Sequence, residues 1–167
     1  MCIRDRNKGD AQVYFIDVRV DAAVVQRLKT DPNIKYKYAF GLYSELTFNP
    51  VGPEFPKTGE LNPFSNPRIR EAMNYIVDRN HIVNEIMLGF AVPKYLPLIS
   101  QFLEYAKLVE TVKLLEAQYS YNFEKGKKII FEEMAKMGAV LKDGKWYYKG
   151  EPVVIKFLIR IEDERKQ

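Results

Sequence analysis

Asn66-Pro67-Arg68-Ile69-Arg70-Glu71-Ala72-Met73-Asn74-Tyr75-Ile76-Val77-Asp78 reads as one amphipathic helix with both ends marked. Asn66 can cap it and Pro67 suits its first position, where a missing N–H costs nothing. Ile69, Ala72, Met73, Ile76 and Val77 recur at the helical interval, so one face is apolar and predicted to be buried. Asp78 closes this stripe and can cap the next helix. Ile82, Val83, Ile86 and Met87 are its expected inward face, and Gly89 its C-cap. Pro93 and Pro97 bound the loop that follows.

Toward the N-terminus the composition changes. Residues 49–66 hold Pro50, Gly52, Pro53, Pro56, Gly59 and Pro63, with Phe55 and Phe64 between them. This density predicts an extended connector, too rich in proline for a helix or a central strand. It divides the chain into a first stretch, 11–48, and a second, 67–167. The first reads β-α-β-β. Val13–Ile16 with Val18 is a buried strand. Asp21 caps a helix striped by Val24, Val25 and Leu28, which Asp31-Pro32 stops. Ile34, Tyr36 and Tyr38 alternate with lysines as a half-exposed strand, and Leu42–Phe48 is a further strand. Residues 1–10 are set aside: Met1-Cys2-Ile3-Arg4-Asp5-Arg6 resembles the translation of a sequencing adapter.

Toward the C-terminus, residues 103–118 are expected as a helix with Leu103, Ala106, Val109, Leu114 and Ala117 inward. Asn122 caps another, whose Phe123, Ile130, Met134 and Met137 face the core and which Gly138 ends. Leu141–Trp146 is a hairpin around Asp143-Gly144, a favoured two-residue turn. Gly150-Glu151-Pro152 turns into Val153–Ile159, apolar almost throughout and expected as a strand buried on both faces. The fold class is therefore α/β.

Charge excludes some functions. The formal net charge is +4. Residues 1–66 carry 9 basic and 8 acidic groups, 67–121 carry 6 and 6, and 122–167 carry 11 and 8. A nucleic-acid binder concentrates Lys and Arg on one face. Here the densest group, Lys125, Lys127 and Lys128, alternates with Glu124, Glu132 and Glu133 as a solvated helix face does. No run reaches the ~18 apolar residues a membrane helix requires.

Catalytic chemistry finds little to stand on. The one histidine, His81, falls in the first turn of a helix without a nucleophile beside it in sequence, and is read as an exposed helical residue. With the single cysteine, Cys2, it cannot complete a zinc ligand set. The only acidic cluster, Glu162-Asp163-Glu164, reads as a solvated chain end. No glycine-rich phosphate loop is present. No cofactor, metal or catalytic set is expected, and the chain is read as a non-enzyme.

Several motifs carry a resemblance in order and spacing. They are Thr47-Phe48-Asn49-Pro50, then Asn62-Pro63-Phe64-Ser65-Asn66-Pro67-Arg68-Ile69-Arg70-Glu71-Ala72-Met73, then Val77-Asp78-Arg79-Asn80, then Ile82-Val83, Gly89, Ala91 and Pro93. Tyr121-Asn122-Phe123-Glu124-Lys125-Gly126-Lys127-Lys128 continues the series. Together they resemble the family 5 solute-binding proteins, the dipeptide- and oligopeptide-binding components of ABC importers. At Gly126 the family usually has Ala. The Phe55–Leu61 insertion and the Ile161–Arg165 ending look most like archaeal members.

The resemblance implies an internal fragment of a two-lobed periplasmic-binding-protein-like fold of the class II, peptide-binding type. On that reading 11–48 ends the first lobe, 49–66 is the hinge connector, and 67–167 opens the second. It implies extracytoplasmic capture of peptides or similar small solutes by lobe closure, delivery to ABC permease subunits, and membrane association only through an N-terminal part of the parent. Tyr43 and Asn49, at the hinge strand, are the ligand-adjacent candidates. For Asn49 a role in shaping the backbone is the alternative, since Asn suits turns. The rival from another class is a small cytosolic interaction or nucleic-acid-binding domain with a basic aromatic face.

Overall fold

A computed structural model describes residues 22–37, 43–100 and 102–159. In chain order its elements are α1 (Ala22–Lys29), a 3₁₀ turn (Pro63–Ser65), α2 (Pro67–Ile76), α3 (Arg79–His81) running into a π-helical turn (Ile82–Ile86), α4 (Leu103–Lys107), α5 (Val109–Gln118), α6 (Phe123–Lys136), and the strands β1 (Val140–Lys142), β2 (Lys145–Tyr148) and β3 (Glu151–Pro152). The architecture is α/β: helices beside a small antiparallel meander, in the order β1-β2-β3.

The caps form where short polar side chains can reach free N–H groups. Asn66 Oδ1 accepts from the Arg68 N–H at 2.8 Å, Asp78 Oδ1 from the His81 N–H at 2.9 Å, and Asn122 Oδ1 from the Lys125 N–H at 3.0 Å. Each satisfies one of the donors that a helix start leaves open. Asp78→Ala is therefore expected to cost about 1 kcal/mol in a urea titration. An unchanged midpoint would show that the Asp78 carboxylate contributes no cap.

The packing centre is the contact of α2 with α6. Leu61, Ile69, Met134 and Ala139 form the buried cluster, with Phe64, Ile130, Met137, Trp146, Tyr148 and Val153 packed against it. Ile69 is 1% exposed and is the largest wholly buried side chain among the described residues. The two helices approach closely because Gly126 has no side chain. A Cβ there would lie 2.6 Å from Ile76 Cγ1 and 3.0 Å from the Ala72 carbonyl oxygen. The junction is also pinned by the Asn122 N–H, which donates to the Tyr75 carbonyl at 2.9 Å.

The hairpin follows its turn chemistry. Asp143 (φ 49°) and Gly144 (φ 75°) are both left-handed, the type I′ geometry whose twist matches the flanking strands. Lys149 and Gly150 repeat it with φ of 51° and 90°. The register pairs Val140 with Tyr147, Leu141 with Trp146, and Tyr148 with Glu151.

The connector is more structured than its proline content suggests. It contains the 3₁₀ turn Pro63–Ser65 and a bridge between Glu54 and Leu61. Its last residues enter the core through Leu61 and Phe64. Asn62, 3% exposed, explains how: its Nδ2 donates to the Asn49 and Val51 carbonyls at 2.8 and 2.6 Å, and its Oδ1 accepts from the Phe64 N–H at 3.1 Å. A buried amide so fully used fixes the path of the chain. Glu54 ties the same loop to the meander through the Tyr148 hydroxyl at 2.7 Å and Lys149 Nζ at 2.9 Å. These partners hold the Glu54 carboxyl below its ordinary pKa, the Tyr148 hydrogen bond most of all. The clasp is therefore whole above the ordinary carboxylate range and loosens as pH falls through the lowered value.

Several expectations are corrected. Residues 34–37 and 43–48 carry no strand, because no neighbouring strand pairs with them among the described residues. The strand expected at Val13–Val18, Tyr38 and Leu42, and the acidic run Glu162–Glu164, lie outside the described residues. Residues 103–118 form two helices broken at Leu108. The face expected to be inward is solvent-facing: Leu103 and Leu114 are 73% and 71% exposed, and Val112 is the buried position instead. Ile82, Ile86 and Phe123 are exposed too. After Pro152 the run Val153–Ile159 is not a strand, and Val154, Ile155, Phe157, Leu158 and Ile159 face solvent. The run is tied back by the Val153 N–H, which donates to the Trp146 carbonyl at 2.8 Å, and by Lys156 Nζ, which donates to the Glu60 carboxylate at 3.1 Å.

Candidate functional site

Tyr43 lies among residues 43–48, which have no regular structure, and is 44% exposed. The loop after Phe90 brings Lys94 to it. Lys94 Nζ sits 5.0 Å from the Tyr43 ring centroid and 5.9 Å from that of Tyr105, at α4. Both distances fall within cation–π range. The same ammonium donates to the Leu98 carbonyl. Desolvation lowers its pKa from the usual lysine value. Tyr43 thus meets Lys94 and Tyr105, which lie some fifty residues and more further along the chain, at one cation framed by two rings.

The chain neighbours of Lys94 extend the site. Pro93 and Tyr95 line a recess of about 270 Å³ with Asn80, Glu116, Ser120 and Tyr121. Arg79 stacks its guanidinium over the Tyr95 ring at 4.6 Å and donates to the Asn74 side chain at 2.7 Å, so the aromatic wall is braced from behind. The recess combines hydroxyl, amide and carboxylate groups with ring faces, a set that can hydrogen-bond a small polar solute.

A second concavity, of about 490 Å³, opens beside the core between Phe64, Met73, Ile130, Trp146 and Val153–Ile155. It is mostly apolar, with Lys145 the one charged residue of its lining.

Asn49 is separate from the Lys94 cluster in its contacts. Its Oδ1 accepts from the Val51 N–H at 3.0 Å and its carbonyl from Asn62 Nδ2. Its Oδ1 closes a local turn. His81 is exposed on α3, its N–H given to Asp78. Lys94, Tyr105 and Asn62 were not singled out from sequence as site or anchor residues. The one available signal was Lys94 standing between Pro93 and Pro97, which fix a loop that can carry a side chain at a set place.

The chain matches the family of bacterial extracellular solute-binding proteins, family 5, middle, over residues 5–160. It belongs to that family, whose members bind small solutes outside the cytoplasm and work with ABC transporters. The helices and small sheet described above fit an α/β portion of a solute-binding-protein fold. No curated protein matches it.

Proposed function

We propose that this chain is the central part of a peptide-capturing component of an ABC importer, in which two lobes close on the solute. The family match over residues 5–160 carries this reading. On it, residues 11–48 complete the first lobe, 67–167 open the second, and 49–66 join them. Side chains of the two stretches meet at several points: Gln26 Nε2 on the Leu88 carbonyl at 3.4 Å, Lys29 over the Phe90 ring at 4.1 Å, and Lys94 over Tyr43.

Tyr43 lies at this seam with Lys94, and both are placed to meet a solute held there. Wet, adaptable contacts of this kind accept varied side chains. Transport draws its energy from the partner ATPase, so the protein binds and releases without chemistry. The parent works outside the cytoplasm.

The test is calorimetry with a mixed di- to tetrapeptide library, on the full-length protein and on residues 1–167 alone. Micromolar binding is expected of the full-length protein only, since a solute between lobes loses most of its buried contacts when one wall is missing. Equal binding by residues 1–167 would place the whole site in this stretch and overturn the two-lobe reading.

A further inference from the structure

We infer that the two lobes pivot at residues 44–47, and that the connector from Phe48 onward travels with the second stretch as one body. This assignment rests on the two-lobe reading above and sets the movement ahead of the proline-rich connector, not along it.

From Phe48 the chain is fastened at every few residues. The Phe48 ring stacks on Phe64 with centroids 4.5 Å apart, and Phe64 packs against the buried cluster. The Asn62 amide holds the Asn49 and Val51 carbonyls, and the Asn62 N–H donates to the Pro53 carbonyl at 2.8 Å. Gly52 lies so close to the 3₁₀ turn that a Cβ there would stand 2.7 Å from Ser65 Cβ. That turn is joined to α2, since Arg70 donates to the Phe64 and Ser65 carbonyls at 2.6 and 2.9 Å. Further along, Lys149 holds Glu54 and Lys156 holds Glu60. A rotation within 49–62 would strip partners from the buried Asn62, and a buried amide left unpaired is costly. Pro50, Pro53 and Pro56 fix three further torsions.

Residues 44–47 are the reverse. All four are exposed and have no regular structure. Thr47 Oγ1 donates to the Glu45 carboxylate at 3.4 Å, a bond inside the segment. Among the described residues, no backbone hydrogen bond ties 44–47 to another element. Changing their φ and ψ therefore breaks no hydrogen bond to the rest of the described chain and leaves no buried group of theirs unpaired. Moving parts are drawn from segments of such low local stability, and hinge residues need not be small. The pivot separates the two residues chosen from the sequence: Tyr43 rides with the first stretch and Asn49 with the second.

The experiment measures distances between nitroxide labels by pulsed dipolar spectroscopy. It uses the full-length protein in a Cys2→Ser background, with and without a saturating mixed di- to tetrapeptide library. Lys57→Cys marks the connector, Lys128→Cys marks α6, and Arg27→Cys marks α1; all three positions are exposed. Tyr43→Cys marks the near side of the pivot. The 57–128 distance is expected to stay as it is when peptide is added. The 27–57 and 43–57 distances are expected to change, the former by more than about 2 Å, as in a domain rearrangement. A change in the 57–128 distance would put movement between the connector and the second stretch and overturn the pivot, while leaving lobe closure standing. A change at 27–57 without one at 43–57 would set the pivot ahead of Tyr43 and overturn its placement. No change in any pair would overturn closure on peptide, and the pivot with it.

Discussion

Ile69→Asp is expected to leave the chain unfolded in buffer. Ile69 lies at the centre of the α2–α6 contact, 1% exposed, among Leu61, Met134 and Ala139. A carboxylate there has no partner, and an uncompensated buried charge costs about 3–5 kcal/mol on top of the lost apolar burial. That approaches the whole stability of an ordinary domain, about 5–15 kcal/mol. The graded version is Ile69→Ala, at about 3 kcal/mol. Circular dichroism through a urea titration reads both. A cooperative transition for Ile69→Asp at the wild-type midpoint would mean that Ile69 is not buried.

Gly126→Val is expected to destabilise the same junction, for the opposite reason. Nothing is removed; three heavy atoms are added where a Cβ alone would stand 2.6 Å from Ile76 Cγ1 and 3.0 Å from the Ala72 carbonyl. The carbonyl belongs to the backbone of α2 and cannot turn aside, so the helices must part. Overpacking of this kind costs about 1–3 kcal/mol, offset only by the few tenths of a kcal/mol, roughly, that Val gains over Gly as a helix former. Gly126→Ala divides the effects. A helix interior gains about 1 kcal/mol from Ala in place of Gly, while the single Cβ still meets Ile76. A clear gain in stability for Gly126→Ala would show that α2 yields at no cost and that the close approach is incidental.

What could be read from the sequence was whatever local chemistry decides. Asn66, Asp78 and Asn122 were assigned as caps, and each side chain takes a backbone N–H within three residues. Asp143-Gly144 specified its own turn. The α/β class followed from the mix of expected helices and strands, and the family from the order and spacing of the motifs. What failed needed information from elsewhere in the chain. Residues 43–48 and 153–159 have the composition of strands, but a strand exists only with a neighbour to accept its hydrogen bonds. Residues 103–118 are apolar on several sides, with Leu103, Leu108, Val109, Val112, Leu114 and Leu115, so no single stripe announces that Val112 is the buried one. The site is the extreme case. Tyr43 was chosen through a resemblance, whereas Lys94 and Tyr105 are ordinary residues until the fold sets them beside it.

The distances along the chain between paired groups also prescribe an order of assembly. The meander β1-β2-β3 closes through two-residue turns, and hairpins of that kind form in about 1–10 μs. The side-chain bond from Asn66 to Glu133 spans 67 residues, and that from Tyr148 to Glu54 spans 94. Closing such loops costs entropy before any contact returns it. The meander and the capped turns of α6 are therefore expected to form first, and α2 with its Asn62-locked connector to dock onto them late. The slow step in forming this protein is expected to be the arrival of the helix at Gly126, so that substitutions at that junction register in the folding rate more than in the rate at which the finished structure comes apart, which stopped-flow refolding and unfolding of Gly126→Ala would read.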